Sequence, residues 1–173
     1  MGVMDSLTLL LLSVLPALVI VAALSDLTTM KIPNWISGLL IVGFFPAAFA
    51  VGLSPAEVGL NVAVAVGALL VGMGLFAGRI IGGGDAKVMA ATCLWLGFGG
   101  AGMFLLYTGL FGGLLCLALI AARKSVVLPA HATPGWVATL MEPRGDLPYG
   151  VAICAGALAA FPSSPLLLTY AAG

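Results

Sequence analysis

Gly82-Gly83-Gly84-Asp85 is the stretch that decides how this chain is organised, because it sets a carboxylate between two long apolar segments. The segment before it is Val58 to Ala77. A second acid, Asp26, follows the first apolar segment, Leu7 to Leu24. Acids beside membrane-length apolar segments are costly and mark functional sites. If both segments cross a membrane in the same direction, Asp26 and Asp85 reach the same face, and we predict that they form one catalytic pair.

The composition is that of a polytopic membrane protein. The chain has 173 residues, of which 62% are hydrophobic and 7% charged, and its mean hydropathy is +1.26. Soluble domains carry about 25% charged residues. The formal net charge is zero, so nothing indicates nucleic-acid binding. No Lys or Arg precedes Leu7, which predicts that the first segment stays as a transmembrane helix and is not cleaved as a signal peptide.

Six apolar segments are present, of which five reach or nearly reach the roughly 17 to 20 helical residues that cross a bilayer. They are Leu7–Leu24, Ile36–Leu53, Val58–Ala77, Val88–Phe98, Met103–Ala122 and Tyr149–Leu168. The fourth is short, and only a glycine cluster (Gly97, Gly99, Gly100 and Gly102) separates it from the fifth. Two tight crossings, or one crossing with a re-entrant piece, fit this part.

The basic residues fix the expected orientation. All of them follow the first, third or fifth segment: Lys31, Arg79, Lys87, Arg123, Lys124 and Arg144. Cytoplasmic loops carry an excess of Lys and Arg, so these three connections are predicted to be cytoplasmic. Lys87 and Arg123 lie on the same side of the membrane only if the chain crosses the membrane twice between them. We expect an all-α bundle of six transmembrane helices, with residues 1–173 as one membrane-embedded domain and both chain ends outside.

Several other features have structural interpretations. Ser54 and Pro55 are a typical helix start, which makes Glu57 a helix-start charge. The long loop from Arg123 to Pro148 is predicted to be irregular, with a short interfacial piece around Trp136 to Met141, and its His131 is interpreted as a solvated loop residue.

Further residues are assigned to anchoring and packing. The tryptophans are interpreted as interfacial anchors: Trp35, Trp95 and Trp136. Two glycine pairs with a spacing of four are interpreted as close-packing positions: Gly74 with Gly78, and Gly109 with Gly113. The cysteines are interpreted as small apolar residues between helices: Cys93, Cys116 and Cys154. No metal and no other cofactor is expected, because no cluster with ligand spacing is present.

Two nearby carboxylates that cannot both ionise share a proton, so one can accept a proton from water while the other donates one to a scissile carbonyl. Such a pair needs neither a metal nor a nucleophilic side chain. In the alternative interpretation, Asp26 pairs with Lys31 and Asp85 with Lys87 as loop charges that fix topology. The spacing alone leaves both interpretations open.

Three blocks of sequence resemble the bacterial prepilin peptidases, which remove leaders from type IV pilins and secretion pseudopilins. Asp26 with the following Lys31-Ile32-Pro33-Asn34 resembles their D-x-x-x-x-x-I-P-N block, and Gly82-Gly83-Gly84-Asp85-Ala86-Lys87 resembles G-x-G-D-x-K. Pro148-Tyr149-Gly150 with Val151-Ala152-Ile153 resembles P-Y-G-x-A-I. The blocks occur in the right order and span nearly the whole chain.

The resemblance implies a GxGD-type aspartic endopeptidase that cuts prepilins at the cytoplasmic face of the bacterial inner membrane. Asp26 and Asp85 match the catalytic aspartates. The matching supporting positions are Gly82, Gly84, Lys87, Pro33, Asn34, Pro148, Tyr149 and Gly150. The implied partners are membrane lipid and prepilins or pseudopilins that have a basic leader followed by an apolar helix.

The chain differs from the longer family members, which have a cysteine-rich cytoplasmic insert between the first two helices and also N-methylate the new pilin terminus. Here that connection is short and has no CxxC. The chain therefore resembles the short peptidases of tight-adherence (Flp-type) pilus systems, and no methyltransferase activity is expected.

Two other classes of function remain as alternatives. One is a proton- or ion-coupled carrier, since membrane acids also serve as relays. Carriers often contain internal repeats with interrupted helices, and the sequence has no evident halving of that kind. The other is a non-catalytic subunit of a secretion or pilus assembly machine. Asn substitution is expected to abolish activity at Asp26 and Asp85 and to be tolerated at Asp5 and Asp146.

Overall fold

A computed structural model describes residues 3–125, 133–143 and 145–172. Every regular element in these residues is helical. The α-helices are α1 Val3–Leu12, α2 Val14–Thr29, α3 Asn34–Val51, α4 Pro55–Ala77, α5 Gly83–Ser125, α6 Gly135–Leu140, α7 Tyr149–Ala160 and α8 Pro165–Ala172, with a 3₁₀ turn at Phe161–Ser163 between the last two. The all-helical prediction is confirmed, and α6 overlaps the short interfacial piece that was predicted around Trp136 to Met141.

Five helical stretches of the described chain are long and apolar enough to cross a membrane. They are Asp5–Thr29, Asn34–Val51, Pro55–Ala77, Gly83–Ser125 and Tyr149–Ala172. The first combines α1 and α2, and the last combines α7, the 3₁₀ turn and α8. The fourth is 43 residues long and contains both the fourth and the fifth predicted segments. The chain is a helical membrane bundle.

The long helix α5 is two arms that meet at Gly97, whose φ of 60° and ψ of −170° are not helical. A Cβ at Gly97 would lie 2.7 Å from Asn61 Oδ1 and 2.8 Å from Pro165 Cγ. Further along, Gly112 lies against Tyr149. The second arm therefore returns along α7 to the end of the bundle from which the first arm started. The first arm, residues 83–96, is about 21 Å long at roughly 1.5 Å per residue, which is shorter than the bilayer core of about 30 Å.

We call the two ends of the bundle the aspartate end, where Asp26, Asp85 and Tyr149 lie, and the far end, where Gly97 and Pro165 meet. Lys31 and Arg79 line cavities at the aspartate end together with both aspartates. Lys87 and Arg123 also contact residues of that end. The predicted gathering of basic residues on one side is therefore seen for these four, while Arg144 lies outside the described residues.

The turn between α3 and α4 has the predicted helix start. The Glu57 amide donates to the Ser54 hydroxyl at 3.3 Å, and the Ser54 amide donates to the Glu57 carboxylate at 2.7 Å. This capping box pairs backbone N–H groups that the first turn of a helix otherwise leaves unpaired. The interpretation of Glu57 as a helix-start charge is confirmed.

The anchoring interpretation of Trp95 is wrong. Its side chain is fully buried, and the indole Nε1 donates a hydrogen bond of 2.8 Å to the Leu40 carbonyl of α3. The ring also packs edge-on against Phe44 at 6.0 Å between centroids. Trp95 is therefore a core residue that joins α3 to the first arm of α5, whereas Trp35 and Trp136 are exposed.

Two packing interpretations also need correction. A Cβ added at Gly74, Gly109 or Gly113 would meet nothing within 4 Å, so these glycines are not close-packing positions, and a Cβ at Gly78 would meet mainly the carbonyls of its own helix. Close approach occurs instead at Gly112 against Tyr149 and at Gly156 against Thr108. Among the cysteines, Cys93 and Cys154 are buried as expected, but Cys116 is exposed.

Candidate active site

Asp26 lies in the last turns of α2 and is buried, with only 7% of its surface exposed. Its Oδ2 accepts a hydrogen bond of 2.7 Å from the amide of Gly150, the second residue of α7. Amides in the first turn of a helix have no partner within the helix, and the positive end of the helix dipole stabilises an anion. The start of α7 therefore orients the Asp26 carboxylate and compensates part of its lost hydration.

The Pro148-Tyr149-Gly150 block has a physical reason at each position. Pro148 precedes α7, where it leaves no backbone N–H unpaired. A Cβ at Gly150 would lie 2.9 Å from the Asp26 Cβ, so a side chain here would displace the carboxylate. The Tyr149 ring fits against Gly112, where a Cβ would come within 2.6 Å of the Tyr149 Cε2. Sequence reasoning missed Gly112.

Asp85 lies in the first turn of α5, and its Oδ2 accepts a hydrogen bond of 3.1 Å from the amide of Gly82, just before the helix. This is one half of a capping box, in which an acid reaches back to the amide that precedes the helix. Gly84 lies against the chain that follows α2, because its Cβ would be 3.2 Å from Ile32 Cβ and 3.3 Å from the Ile32 carbonyl oxygen. The first turn of α5 is therefore held beside the end of α2.

Ile32 is the side chain at which the three sequence blocks meet. It contacts Gly84, and its Cδ1 would lie 3.1 Å from a Cβ at Gly150. Pro33 then precedes α3 with extended backbone, and Asn34 begins the helix. The Lys87 ammonium donates a hydrogen bond of 2.9 Å to Asn34 Oδ1. The blocks that are remote in the sequence thus form one contiguous site.

Two cavities border both Asp26 and Asp85. The first has a volume of about 520 Å³ and is also lined by Asp146 and Leu147 of the connection before α7 and by Tyr149, the first residue of α7. The second, of about 650 Å³, is lined by the segment between α2 and α3 and by the three glycines before Asp85. The two carboxylates therefore border the same space although they come from different helices.

The backbone at these cavities has two unusual residues. Met30 and Arg79 have φ angles of 53° and 58°. This left-handed conformation is uncommon for residues other than glycine and tends to occur at functional sites. Both residues line the first cavity with the two aspartates. The chain therefore bends sharply after α2 and after α4, and each bend brings a helix end to the cavity wall.

The alternative in which lysines neutralise the aspartates does not match the observed contacts. The Asp26 and Asp85 carboxylates accept hydrogen bonds from backbone amides, and Lys87 donates to the neutral amide of Asn34. None of these is a carboxylate–lysine contact. The aspartates are thus held from the backbone side.

Other acids and possible ligands lie in different surroundings. Asp146 is exposed but lines the first cavity together with Asp26 and Asp85. The prediction that Asp146→Asn is tolerated therefore applies to a residue that lies beside the candidate site. Asp5 lies near the start of α1. His131 lies outside the described residues. Within the described ranges, no group of three or more His, Cys, Asp or Glu side chains could hold a metal ion.

A family model described as the type IV leader peptidase family matches residues 13–117 of the chain. The match covers more than half of the 173 residues and contains Asp26, the Ile32-Pro33-Asn34 block and Asp85. The Pro148-Tyr149-Gly150 block lies beyond it. No curated protein and no solved structure matched the chain.

Proposed function

Since the chain belongs to the type IV leader peptidase family, we propose that it is an aspartic endopeptidase that cleaves the leader from prepilins or pseudopilins within or beside the membrane. The observation that carries this proposal is that Asp26 and Asp85, from two different helices, line the same two cavities. Each carboxylate is also oriented by a backbone amide.

The proposed reaction uses the two carboxylates as an acid and a base. One carboxylate accepts a proton from a water molecule as the oxygen of that water attacks the carbonyl carbon of the scissile bond. The other carboxyl group donates its proton to the carbonyl oxygen, which forms a neutral tetrahedral intermediate. Collapse of the intermediate breaks the C–N bond. The first carboxyl gives its proton to the leaving amine, and the second carboxylate takes back a proton from a hydroxyl group of the intermediate as the carbonyl re-forms, so both groups return to their starting states. The amides of Gly150 and Gly82 keep the two acids in place throughout.

The substrate side of the proposal rests on the distribution of charge. The aspartate end carries basic residues, which supports a cytoplasmic position for it under the positive-inside rule. We therefore propose a multi-pass protein of the bacterial inner membrane whose site faces the cytoplasm and whose termini lie outside. A prepilin leaves its basic leader in the cytoplasm and its apolar helix among the lipids, so its cleavage bond lies at the level of Asp26 and Asp85.

The chain is further proposed to be a short, Flp-type member without N-methyltransferase activity. Only residues 30–33 separate α2 from α3, and this connection forms the wall of the second cavity. The cysteine-rich insert of the longer members would be placed there. In this chain the short connection instead brings Ile32 onto Gly84 and Gly150.

The alternatives are less well supported by the site. A coupled carrier needs acids along a path through the bilayer, whereas both aspartates lie together at one end of the bundle. A non-catalytic assembly subunit requires neither the paired cavities nor amides directed at the carboxylates. Leader cleavage separates the three functions, because only the peptidase releases the leader.

The test is cleavage in proteoliposomes that contain the purified protein and a prepilin. The wild type and Asp5→Asn are expected to release the leader, whereas Asp26→Asn and Asp85→Asn are expected to lose activity by a factor of about 10⁴, as seen when an essential member of a catalytic group is changed. Asp5 is the matched control, since it lies roughly 30 Å from Asp26 along α1 and α2 at about 1.5 Å per residue. Leader release by Asp85→Asn at the wild-type rate would contradict the proposal.

A further inference from the structure

An apolar groove of about 390 Å³ lies between α3 and α4, with the first arm of α5 as its floor. Its walls include Ile41 and Phe45 of α3 and Val62 and Val66 of α4, and Leu94 lies in the floor. Helices α3 and α4 both pack against α5 but have almost no contact with each other. The groove is therefore open sideways to the membrane.

At the aspartate end the groove runs into the candidate site. Asn34 and Lys87, which are hydrogen-bonded to each other, line the end of the groove. Asn34 also lines the second cavity, together with Asp26 and Asp85. A chain that passes over the two aspartates can thus continue past Asn34 into the groove without leaving the protein surface.

We propose that this groove binds the apolar helix that directly follows the scissile bond of the substrate. The inference rests on the proposed peptidase function and specifies how the substrate is held. A helix that begins at the dyad must leave toward the bilayer core, and the groove offers a continuous apolar path from that point. A carboxylate-lined cavity cannot take an apolar helix without burying unpaired charge.

The floor and walls suit a helix. Small residues line the groove at Gly38, Ala65, Ala90 and Ala91, and small residues let membrane helices approach closely. A Cβ at Gly38 would meet nothing within 4 Å. The space in front of Gly38 is therefore available to a partner helix and is not filled by a neighbouring helix of the bundle.

The first test is site-specific photo-crosslinking in the Asp85→Asn protein with an uncleaved prepilin as the probe. The photoreactive residue p-benzoylphenylalanine replaces Val66 in the groove wall or, as the matched control, Val71. Both valines are on α4 and are 51% and 65% exposed, but five residues of helix rotate Val71 by roughly 140° away from the groove. We expect crosslinks to the apolar helix of the prepilin from position 66 and none above background from position 71.

The outcomes distinguish a substrate helix from lipid as the occupant of the groove. Equal crosslinking from both positions, or crosslinks from position 66 to lipid alone, would overturn the groove proposal while leaving the peptidase proposal intact. Crosslinks from position 66 combined with a wild type that releases no leader would support the groove as a helix-binding site and reject the peptidase.

The second test fills the groove. In Gly38→Phe the ring enters open space, and its matched control is Gly74→Phe, another exposed glycine whose Cβ would meet nothing. Gly38→Phe is expected to lower cleavage of the full prepilin by about tenfold or more, because the ring occupies space that the substrate helix needs and overpacking of a contact is unfavourable. Cleavage of a soluble peptide that spans the scissile bond but lacks the helix is expected to stay unchanged. Equal loss on both substrates, or on neither, would contradict the proposal.

Discussion

Gly150 holds Asp26 through its backbone amide, and the absence of a side chain at Gly150 allows the contact. The Asp26 Oδ2 lies 2.7 Å from the Gly150 nitrogen, while a Cβ at this position would lie 2.9 Å from the Asp26 Cβ. The same relation holds for Gly82 and Asp85, where the amide donates at 3.1 Å and a Cβ would lie 2.8 Å from Oδ2. At the scale of the residue, Gly150 and Gly82 therefore hold the two aspartates in two ways: each donates an amide hydrogen bond, and each leaves room for the carboxylate because it has no side chain.

Gly150→Ala is expected to lower leader cleavage by about a hundredfold, because displacement of a catalytic group by about 1 Å has an effect of that size. The added methyl group must push either Asp26 or the start of α7 away. Gly113→Ala is the matched control, since a Cβ there meets nothing within 4 Å. The turnover rate and the thermal unfolding temperature of both variants check the prediction. Full activity of Gly150→Ala would contradict it.

The sequence was sufficient to single out the two aspartates and the motif positions, but not their contacts. Ile32 touches two motif glycines, one of them 118 positions further along the chain, and such contacts leave no local pattern. Gly112 was missed because the four-residue spacing drew attention to Gly109 and Gly113, which face open space. Spacing identifies a pair of small residues but does not tell which face of the helix meets a neighbour.

At the scale of the element, the sharp turn at Gly97 sets the direction in which the second arm of α5 runs back along the bundle. The positive φ of 60° favours glycine, and both Asn61 and Pro165 leave no space for a Cβ. The sequence predicted a break in this glycine cluster without identifying which glycine makes it. Gly99, two residues later, is helical, and a Cβ there would meet nothing.

Gly97→Ala is expected to destabilise the protein by about 2 kcal/mol or more, since the backbone conformation and the space both exclude the methyl group. Gly99→Ala is expected to be neutral or slightly stabilising, because alanine favours the helix. Thermal unfolding in detergent measures both. Equal unfolding temperatures for the two variants would show that Gly97 is not the reversal point.

Arg123 connects the end of α5 to the connection that precedes α7. Its guanidinium donates three hydrogen bonds of 2.9 Å, to the carbonyls of Leu140, Gly145 and Asp146. Asp146 and the adjoining Leu147 line the first cavity. The sequence explained Arg123 only as a topology charge, because nothing local indicates a side chain that binds carbonyls about 20 residues away.

Arg123→Lys keeps the charge but loses the planar fork of donors. Each lost bond removes about 1 kcal/mol, so we expect amide hydrogen exchange in residues 135–147 to accelerate by about tenfold or more. Lys124→Met, which removes the neighbouring charge, is expected to leave exchange in this segment unchanged. If Arg123→Lys exchanges at the wild-type rate, Arg123 does not hold the connection.

At the scale of the whole molecule, charge predicted the arrangement better than hydrophobicity did. Lys31 and Arg79 line cavities with the aspartates, as the shared side of their loops implied. Which helices touch could not be predicted, because lipid-facing and protein-facing surfaces are both apolar in a membrane. In α4 only 11% of the membrane-length apolar stretch is buried. Hydrophobicity alone therefore does not show which side chains are buried, and the full burial of Trp95 is one example.

The separation of α3 from α4 is likewise a property of the whole bundle. It produces an apolar groove that begins beside the candidate site and lies open between the two helices. If the substrate is membrane-anchored, as proposed, its helix would enter through this opening from the side. In the proposed function, the polar cavity takes the scissile peptide bond and the apolar groove takes the helix of the substrate.

The most direct test of the paired aspartates uses the double variant Asp26→Cys/Asp85→Cys in a chain whose native cysteines, Cys93, Cys116 and Cys154, are replaced by alanine. The protein is reconstituted in sealed vesicles of known orientation, and separate samples are treated with a short bifunctional thiol reagent or with a membrane-impermeant thiol label. If the two aspartates form one catalytic pair, the reagent joins positions 26 and 85, and both are labelled from the cytoplasmic side. Labelling of the two positions from opposite sides of the bilayer would contradict the pairing.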